Sequence, residues 1–408
     1  MRIVVKFGGT SVGTLTRIKK DAEAVYREFR KGTQVAVVVS AMGHTTDALI
    51  KTAKTVGEKL GPKEMDFIMA LGERASARIF AAALREIGAK AKAIDPMSEE
   101  WPVVTDSNHG LADIDLKATM ELAKKKIVSL LEDGVIPVIC GFLGKDRKGN
   151  ITTIGRGGSD ITGFLIGKCI GADEVIIVTD VDGVMSADPN VVEGAKILEK
   201  ITVEEMTDLA RFGAQVMHPR AMRYKDPEID AKVINFKHYD LSAPGTKIIG
   251  PVEKEVEGVR LVEEPLAMLT VVGEEMQVTP GVLVKTSTPV SAAGINIFGV
   301  SIGPRSFSLY VRESEAEKAA KLVHEVIVGD RLMKSVTTQG GLAMIVAESE
   351  KFIYTPGVIA RLTAPLAKEK INIVEILSSR ASISFFVNWE DRERAMELFK
   401  KAMKDISG

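Results

Sequence analysis

Short β-branched runs, Ile3 to Phe7, Val35 to Val39, Ile136 to Cys140 and Val175 to Val178, punctuate the first part of the chain. They are apolar throughout rather than alternating, which is the pattern of strands buried on both faces. Between them Ile18 to Phe29, Lys63 to Ile87, Asp115 to Leu131 and Asp160 to Ile170 repeat apolar residues at helical spacing. Strands alternating with helices predict a mostly parallel sheet covered on both faces, so the expected class is α/β.

Each predicted strand runs into small, hydroxyl-bearing or charged residues: Lys6-Phe7-Gly8-Gly9-Thr10-Ser11, Ser40-Ala41-Met42-Gly43, Gly141-Phe142-Leu143-Gly144 and Thr179-Asp180-Val181-Asp182-Gly183. In open α/β sheets ligands bind outside the carboxyl ends of the strands, so these four ends predict one crevice.

The texture changes near residue 266. Shifting the chain by 76 positions aligns Leu266-Ala267-Met268 with Leu342-Ala343-Met344, Thr279-Pro280-Gly281 with Thr355-Pro356-Gly357, and Pro289 with Pro365. In the same frame Ile295-Asn296-Ile297 falls on Ile371-Asn372-Ile373 and Ser306-Phe307-Ser308 on Ser382-Ile383-Ser384. Each copy reads strand, helix, strand, strand, helix, the ferredoxin-like order, so the second part is a tandem duplication. The second copy ends without a closing strand, and Gly258 to Val262 could supply it, placing the first module as an insertion in the second; a partner chain could supply it instead. The expected domains are an α/β domain 1–250 carrying the crevice, a linker or strand 251–265, and two modules, 266–338 and 339–408.

Composition narrows the function. Among 408 residues, Lys+Arg of 54 against Asp+Glu of 55 leaves a formal net charge of -1, so no whole-chain field draws the protein to nucleic acid or an anionic membrane. No apolar run is long enough to span a bilayer. Met1 leads directly into a strand-like run with no secretory pattern, so the expected location is the cytoplasm. The two cysteines, Cys140 and Cys169, sit in apolar segments without metal-ligand spacing and read as buried hydrophobes. No metal site held by side chains is expected.

Lys6 closes an apolar strand and precedes two glycines, where an ammonium and backbone amides can meet an anion, phosphate being the natural guess. A lysine ending a strand also snorkels to water, and only Gly8-Gly9-Thr10-Ser11 shifts that balance. Thr152 to Asp160 is a glycine-rich segment opening a helix. It has neither the Gly-Lys-Ser/Thr ending of a P-loop nor dinucleotide-binding glycine spacing. A helix cap accounts for Ser159 or Asp160 but not for Arg156, whose guanidinium suits a carboxylate or phosphate. Glu73 would be an ordinary surface carboxylate but for its place beside Gly72. The acidic-glycine turn at Thr179 to Pro189 lacks EF-hand spacing. The five histidines are scattered, so a histidine-dependent mechanism has little support.

Together, Lys6-Phe7-Gly8-Gly9-Thr10-Ser11-Val12, Gly72-Glu73-Arg74, Gly155 to Asp160, Thr179 to Pro189 and Phe212 to Pro219 resemble the signatures of the aspartokinase family, and the two repeats resemble ACT modules. The resemblance covers nearly the whole chain. It implies an amino acid kinase α/β/α sandwich followed by two βαββαβ ACT domains, and transfer of phosphate from ATP to L-aspartate to give 4-phospho-L-aspartate, the first step toward lysine, threonine and methionine. By the same resemblance Lys6 and Asp160 take catalytic positions, and Thr46, Glu73, Arg156 and Ser159 substrate positions. Gly8, Gly9, Thr10, Ser11, Thr179, Asp180, Gly183, Met185 and Asp188 fall on nucleotide positions. Asn296, Ile297, Asn372 and Ile373 fall where ACT modules hold an effector, and Mg2+ is expected mainly on ATP oxygens. Met185 stands where relatives often have an aromatic residue and Asn190 where they have arginine, which implies different adenine packing and phosphate grip; Lys237 receives no role.

Two other readings are open at this point: a kinase of the same fold acting on another amino acid or an N-acylated one, and a non-catalytic amino-acid sensor. Glu73 speaks against an acylated substrate, since only a free ammonium needs an acidic partner. Lys6 and Asp160 together speak against a sensor. Phe298 falls where lysine-sensitive relatives can carry an aspartate, so threonine is favoured over lysine as effector. Because ACT modules generally bind ligands between paired copies, a homodimer or larger assembly is expected.

Overall fold

The computed structural model describes residues 1–56, 60–211, 217–250, 258–353 and 355–407. Phe212 to Val216 of the signature above and residues 251–257 of the linker lie outside the described residues. The chain divides into two compact units, Met1–Lys254 and Glu255–Gly408.

In the first unit the order is β1 (Arg2–Phe7), α1 (Leu15–Arg30), β2 (Gln34–Val39), α2 (Thr45–Val56), α3 (Pro62–Glu86), β3 (Ala91–Ile94), β4 (Val104–Thr105), α4 (Leu116–Glu132), β5 (Ile136–Cys140), β6 (Leu143–Asp146), β7 (Ile151–Thr153), α5 (Gly158–Ile170), β8 (Glu174–Thr179), β9 (Lys200–Thr202), α6 (Val203–Arg211), α7 (Pro219–Met222), β10 (Asp230–Asn235) and β11 (Thr246–Ile249). Eight strands form one sheet in the order β3-β5-β2-β1-β8-β10-β11-β9. All neighbours are parallel except β10 and β11. β4, β6 and β7 make a separate three-stranded sheet.

The apolar runs explain the centre of the large sheet. Val4, Val5 and every residue from Val35 to Val39 are wholly buried, with helices packed on both faces, and β-branched side chains suit that pleated environment. Because β5, β2, β1 and β8 are adjacent and parallel, their carboxyl ends open along one edge.

The second unit contains β12 (Gly258–Leu261), β13 (Leu266–Gly273), α8 (Val282–Ala292), β14 (Gly299–Ile302), β15 (Ser306–Arg312), α9 (Ala316–Val328), β16 (Met333–Glu348), α10 (Val358–Lys368), β17 (Ile373–Ser378), β18 (Ser382–Asn388) and α11 (Arg392–Ser407). α8 and α10 begin 76 residues apart, as do β15 and β18, and each helix carries its internal proline at the equivalent position, Pro289 and Pro365. β16 belongs to both modules: Met333 to Gln339 pair with β13, and Leu342 to Glu348 with β18. β12 lies antiparallel against Ile345 to Glu348, so a strand preceding the first module completes the second. Tyr310 stacks on Phe386 at 3.9 Å between ring centres, joining the modules through Leu266, Leu342 and Phe298.

Candidate active site

The edge where β1, β2 and β5 end holds a cleft of about 280 Å³, lined by the strand ends Lys6, Gly9 and Ser40 to Ala41, by Thr46 and Glu73, and by the glycine loop from Gly155 to Asp160. Lys6, Gly9, Thr46, Glu73, Arg156, Ser159 and Asp160, read from the sequence as site residues, therefore share one cavity.

Lys6 is 7 % exposed, and its Nζ lies 2.5 Å from Asp160 Oδ1 at the start of α5. Strand β1 points the side chain upward, and α5 crosses it closely: a Cβ on Gly163 would stand 3.2 Å from Lys6 Cβ. Pairing answers the large cost of burying the ammonium and holds it in one direction. The turn feeding α5 depends on glycine. Gly157 has φ of 72°, and a Cβ there would lie 2.1 Å from His218 Cβ, so no other residue fits. Burial and the nearby Arg220 guanidinium hold His218 below its ordinary pKa, despite the opposing Asp160 charge.

Glu73 is 4 % exposed and sits on α3. The Ala41 amide donates to its Oε1 at 3.2 Å, while its buried Oε2 has no hydrogen-bond partner. Burial pushes the carboxyl up to about 7, against the lowering effect of the backbone amides. Its neighbour Gly72 makes the approach possible: a Cβ there would stand 2.8 Å from Ala41 Cβ and 3.4 Å from Thr46 Oγ1. Arg74, from the same motif, turns away and reaches Asp95 at 3.5 Å, with Arg78 at 2.6 Å. Burial raises Asp95, but the Met97 amide and the two guanidinium groups more than offset it and hold the carboxyl below its usual value.

Arg156 is exposed at the mouth of the cleft, and Ser159 and Asp160 are half-buried on the first turn of α5. The Gly8 amide is committed, donating to the Val178 carbonyl, and the Gly9 carbonyl accepts from the Gly43 amide at 2.9 Å. Ser11, assigned to the nucleotide by resemblance, is wholly buried, and its hydroxyl donates to the Val178 carbonyl at 3.1 Å, so it braces the loop from beneath. Thr10 is exposed, its carbonyl accepting from Arg17 at 2.7 Å.

Thr179 ends β8, and Asp180, Gly183, Met185 and Asp188 lie on the loop that follows it, all off the lining of the cleft. Asn235 at the end of β10 ties that loop down, donating to the Asp180 carbonyl at 3.2 Å and to Asp182 Oδ1 at 2.9 Å. Gly183 is buried where a Cβ would come within 2.5 Å of Thr246 Oγ1. Met185 bridges to Ile197, and Asp188 accepts from the Asn190 amide at 2.9 Å. Among the described residues no three His, Cys, Asp or Glu side chains converge as a metal-ligand set. Asn235 and Asp66 are not singled out as site residues by the sequence: the bonds from Asn235 to the loop after β8 span 53 and 55 residues and those to Asp66 span 43 to 87, beyond the reach of any local motif.

Asn296 and Asn372 are exposed and Ile297 and Ile373 half-buried; Asn296 and Ile297 precede the edge strand β14, whereas Asn372 precedes and Ile373 opens the edge strand β17. Phe298 packs in the apolar cluster between the modules, with the Arg312 guanidinium 5.7 Å from its ring centre. Among the described residues no helix is long and apolar enough to cross a membrane.

Residues 1–235 match the model of the amino acid kinase family, and residues 261–325 and 337–401 match that of the ACT domain. The aspartate kinase of Pseudomonas putida is 33% identical over 420 residues, spanning 98% of this chain and 96% of that protein. The aspartokinase of Geobacillus stearothermophilus is 32% identical over 408 residues, with the same coverage of 98% and 96%. Among solved structures, aspartate kinase from Synechocystis superposes with a TM-score of 0.82 at 27% identity, covering 99% of this chain and 69% of that one. Aspartokinase III of E. coli in complex with aspartate and ADP gives 0.56 at 25% identity, covering 98% and 99%.

Proposed function

The chain belongs to the aspartokinases of the amino acid kinase family, an aspartate kinase with tandem ACT domains, and on that premise we propose how its own residues bind aspartate and assist transfer of the ATP γ-phosphoryl group. The observation that carries the reading is the unpartnered, buried Glu73 carboxylate oxygen in the same cleft as the Lys6–Asp160 pair and Arg156.

Glu73 takes the α-ammonium of aspartate, and Arg156 grips its α-carboxylate bidentately, with Thr46 and Ser159 adding hydroxyl contacts. This leaves the side-chain carboxylate free to act. With a reference pKa of about 3.9 it is already ionised near neutral pH, so no general base is needed. Its oxygen attacks the γ-phosphorus in line, the bond to the bridging oxygen breaks, and ADP leaves. Lys6 neutralises charge on the moving phosphoryl group, where such stabilisation has its largest effect on rate. Asp160, 2.5 Å from the Lys6 Nζ, keeps it aimed.

The nucleotide lies along Gly8 and Gly9, the amino end of α5, and the loop carrying Thr179, Asp180, Gly183, Met185 and Asp188, with Thr10 at its rim. Magnesium is carried chiefly by triphosphate oxygens. Domains follow as 1–250, 251–265, 266–338 and 339–408.

Control falls to the ACT pair, where Asn296, Ile297, Asn372 and Ile373 offer backbone and amide groups to an amino acid. E. coli aspartokinase III has been solved in complex with lysine and aspartate. Here Phe298 offers no counter-charge to a second ammonium, so threonine is the favoured effector. The end strands β14 and β17 of the ACT sheet leave edges that favour a homodimer or larger assembly.

Coupled measurement of ADP release tests the substrate reading. L-Aspartate should support turnover and N-acetyl-L-aspartate should not. Equal rates with both would remove Glu73 from the ammonium site.

A further inference from the structure

Asp66 lies on α3 seven residues before Glu73, which places both on one helix face two turns apart. It is wholly buried and lines no part of the cleft. Its carboxylate gathers four hydrogen bonds from two distant segments. His109 Nδ1 meets Oδ2 at 2.8 Å, the Gly110 amide donates to both oxygens at 3.1 Å, and Thr153 Oγ1 donates to Oδ1 at 2.6 Å. The carboxylate partner fixes the His109 proton on Nδ1.

These partners lead straight to the glycine loop. Thr153 is the last residue of β7, three before Arg156. Its carbonyl accepts from the Ala112 amide at 2.9 Å. A Cβ on Gly155 would stand 2.6 Å from Leu111 Cδ1, and the Ile154 carbonyl accepts from Arg220 Nη1 at 2.9 Å. The segment from His109 to Ala112 is thus wedged between α3 and the strand that presents Arg156, with Asp66 as the knot.

We propose that Asp66 is a positioning residue for the phosphoryl-transfer site: it fixes the span between Glu73, on its own helix, and Arg156, on the loop it tethers. The proposal rests on the assignment of those two groups to the ammonium and α-carboxylate of aspartate. A zwitterion held at both ends is sensitive to that span, whereas ATP contacts neither group. Loss of the knot therefore separates the two substrates kinetically.

The experiment compares Asp66→Ala, Asp66→Asn and Thr153→Val in the full chain, reading KM for aspartate, KM for ATP, kcat and the thermal midpoint. Asp66→Ala should raise KM for aspartate about tenfold or more while KM for ATP stays within about twofold. Asp66→Asn retains an oxygen acceptor for Thr153 and Gly110 and should recover most of the loss, and Thr153→Val should fall between. If both Michaelis constants move together, or neither moves, the proposal is overturned. Should Asp66→Ala fail to fold, an unchanged aspartate KM in both milder variants overturns it as well. Absence of aspartate-dependent ADP release from the unmodified chain would instead overturn the assignment of Glu73 and Arg156.

Discussion

A carboxylate with one buried oxygen left unpaired is costly unless something cationic arrives, and Glu73 is such a group. Because burial raises it to about 7, the free enzyme near neutrality holds a mixture of neutral and ionised Glu73. Only the ionised form attracts an ammonium. The sign follows: apparent affinity for aspartate should rise as pH increases through about 7 and flatten above it, while affinity for ATP stays level across that window. Initial-rate measurements of KM for aspartate from pH 6 to 8.5, with Glu73→Gln beside the parent, check this. The variant should show a high KM with no inflection, and an inflection of the same size in it would assign the titration to another group. Arg74 shows the limit of motif reading at this scale. It adjoins Glu73 in sequence, yet the helical rotation between successive residues sends it to Asp95 instead of the cleft.

At the scale of elements, the four central strands were legible because they are buried almost throughout, and the long helices because apolar residues recur at helical spacing on their buried faces. Ile3 to Phe7 became Arg2–Phe7, and Lys63 to Ile87 became Pro62–Glu86, with boundaries shifted by one residue. The outer strands were not. Ala91–Ile94, Lys200–Thr202, Asp230–Asn235 and Thr246–Ile249 carry charged residues at positions that reach solvent, so they lack a continuous apolar run. Thr246–Ile249, for example, alternates buried and exposed positions. The duplication was legible in detail, since spacing survives where side chains change. Packing between elements was not, and Gly72 illustrates it: its value lies in letting α3 touch the loop at Ala41 and Thr46. Gly72→Ala would place a methyl 2.8 Å from Ala41 Cβ, forcing the helix or the loop to shift. The expected outcome is a destabilisation of about 1–3 kcal/mol by denaturant titration, together with a raised KM for aspartate. Unchanged stability and KM would mean that the contact is easily relieved.

For the whole molecule, a kinase fold followed by two interlocked ACT modules makes catalysis and control separable properties of one chain. An effector that shifts aspartate affinity does so with a coupling energy of roughly 1–3 kcal/mol, and aspartate must weaken the effector by the same factor. Titrating lysine, threonine and methionine singly against initial rates should show threonine as the strongest inhibitor, with lysine weak; Phe298→Asp should strengthen lysine. Strong lysine inhibition of the unmodified chain would remove Phe298 from the explanation, and insensitivity to all three would leave the modules as an assembly surface. The account as a whole turns on the Lys6–Asp160 pair, because a lysine that neutralises the moving phosphoryl group acts mainly in the transition state. The most direct measurement is steady-state ADP release by Lys6→Ala with ATP and aspartate: kcat should fall by about 10²-fold or more while KM for aspartate changes far less. Normal turnover by that variant would contradict the account.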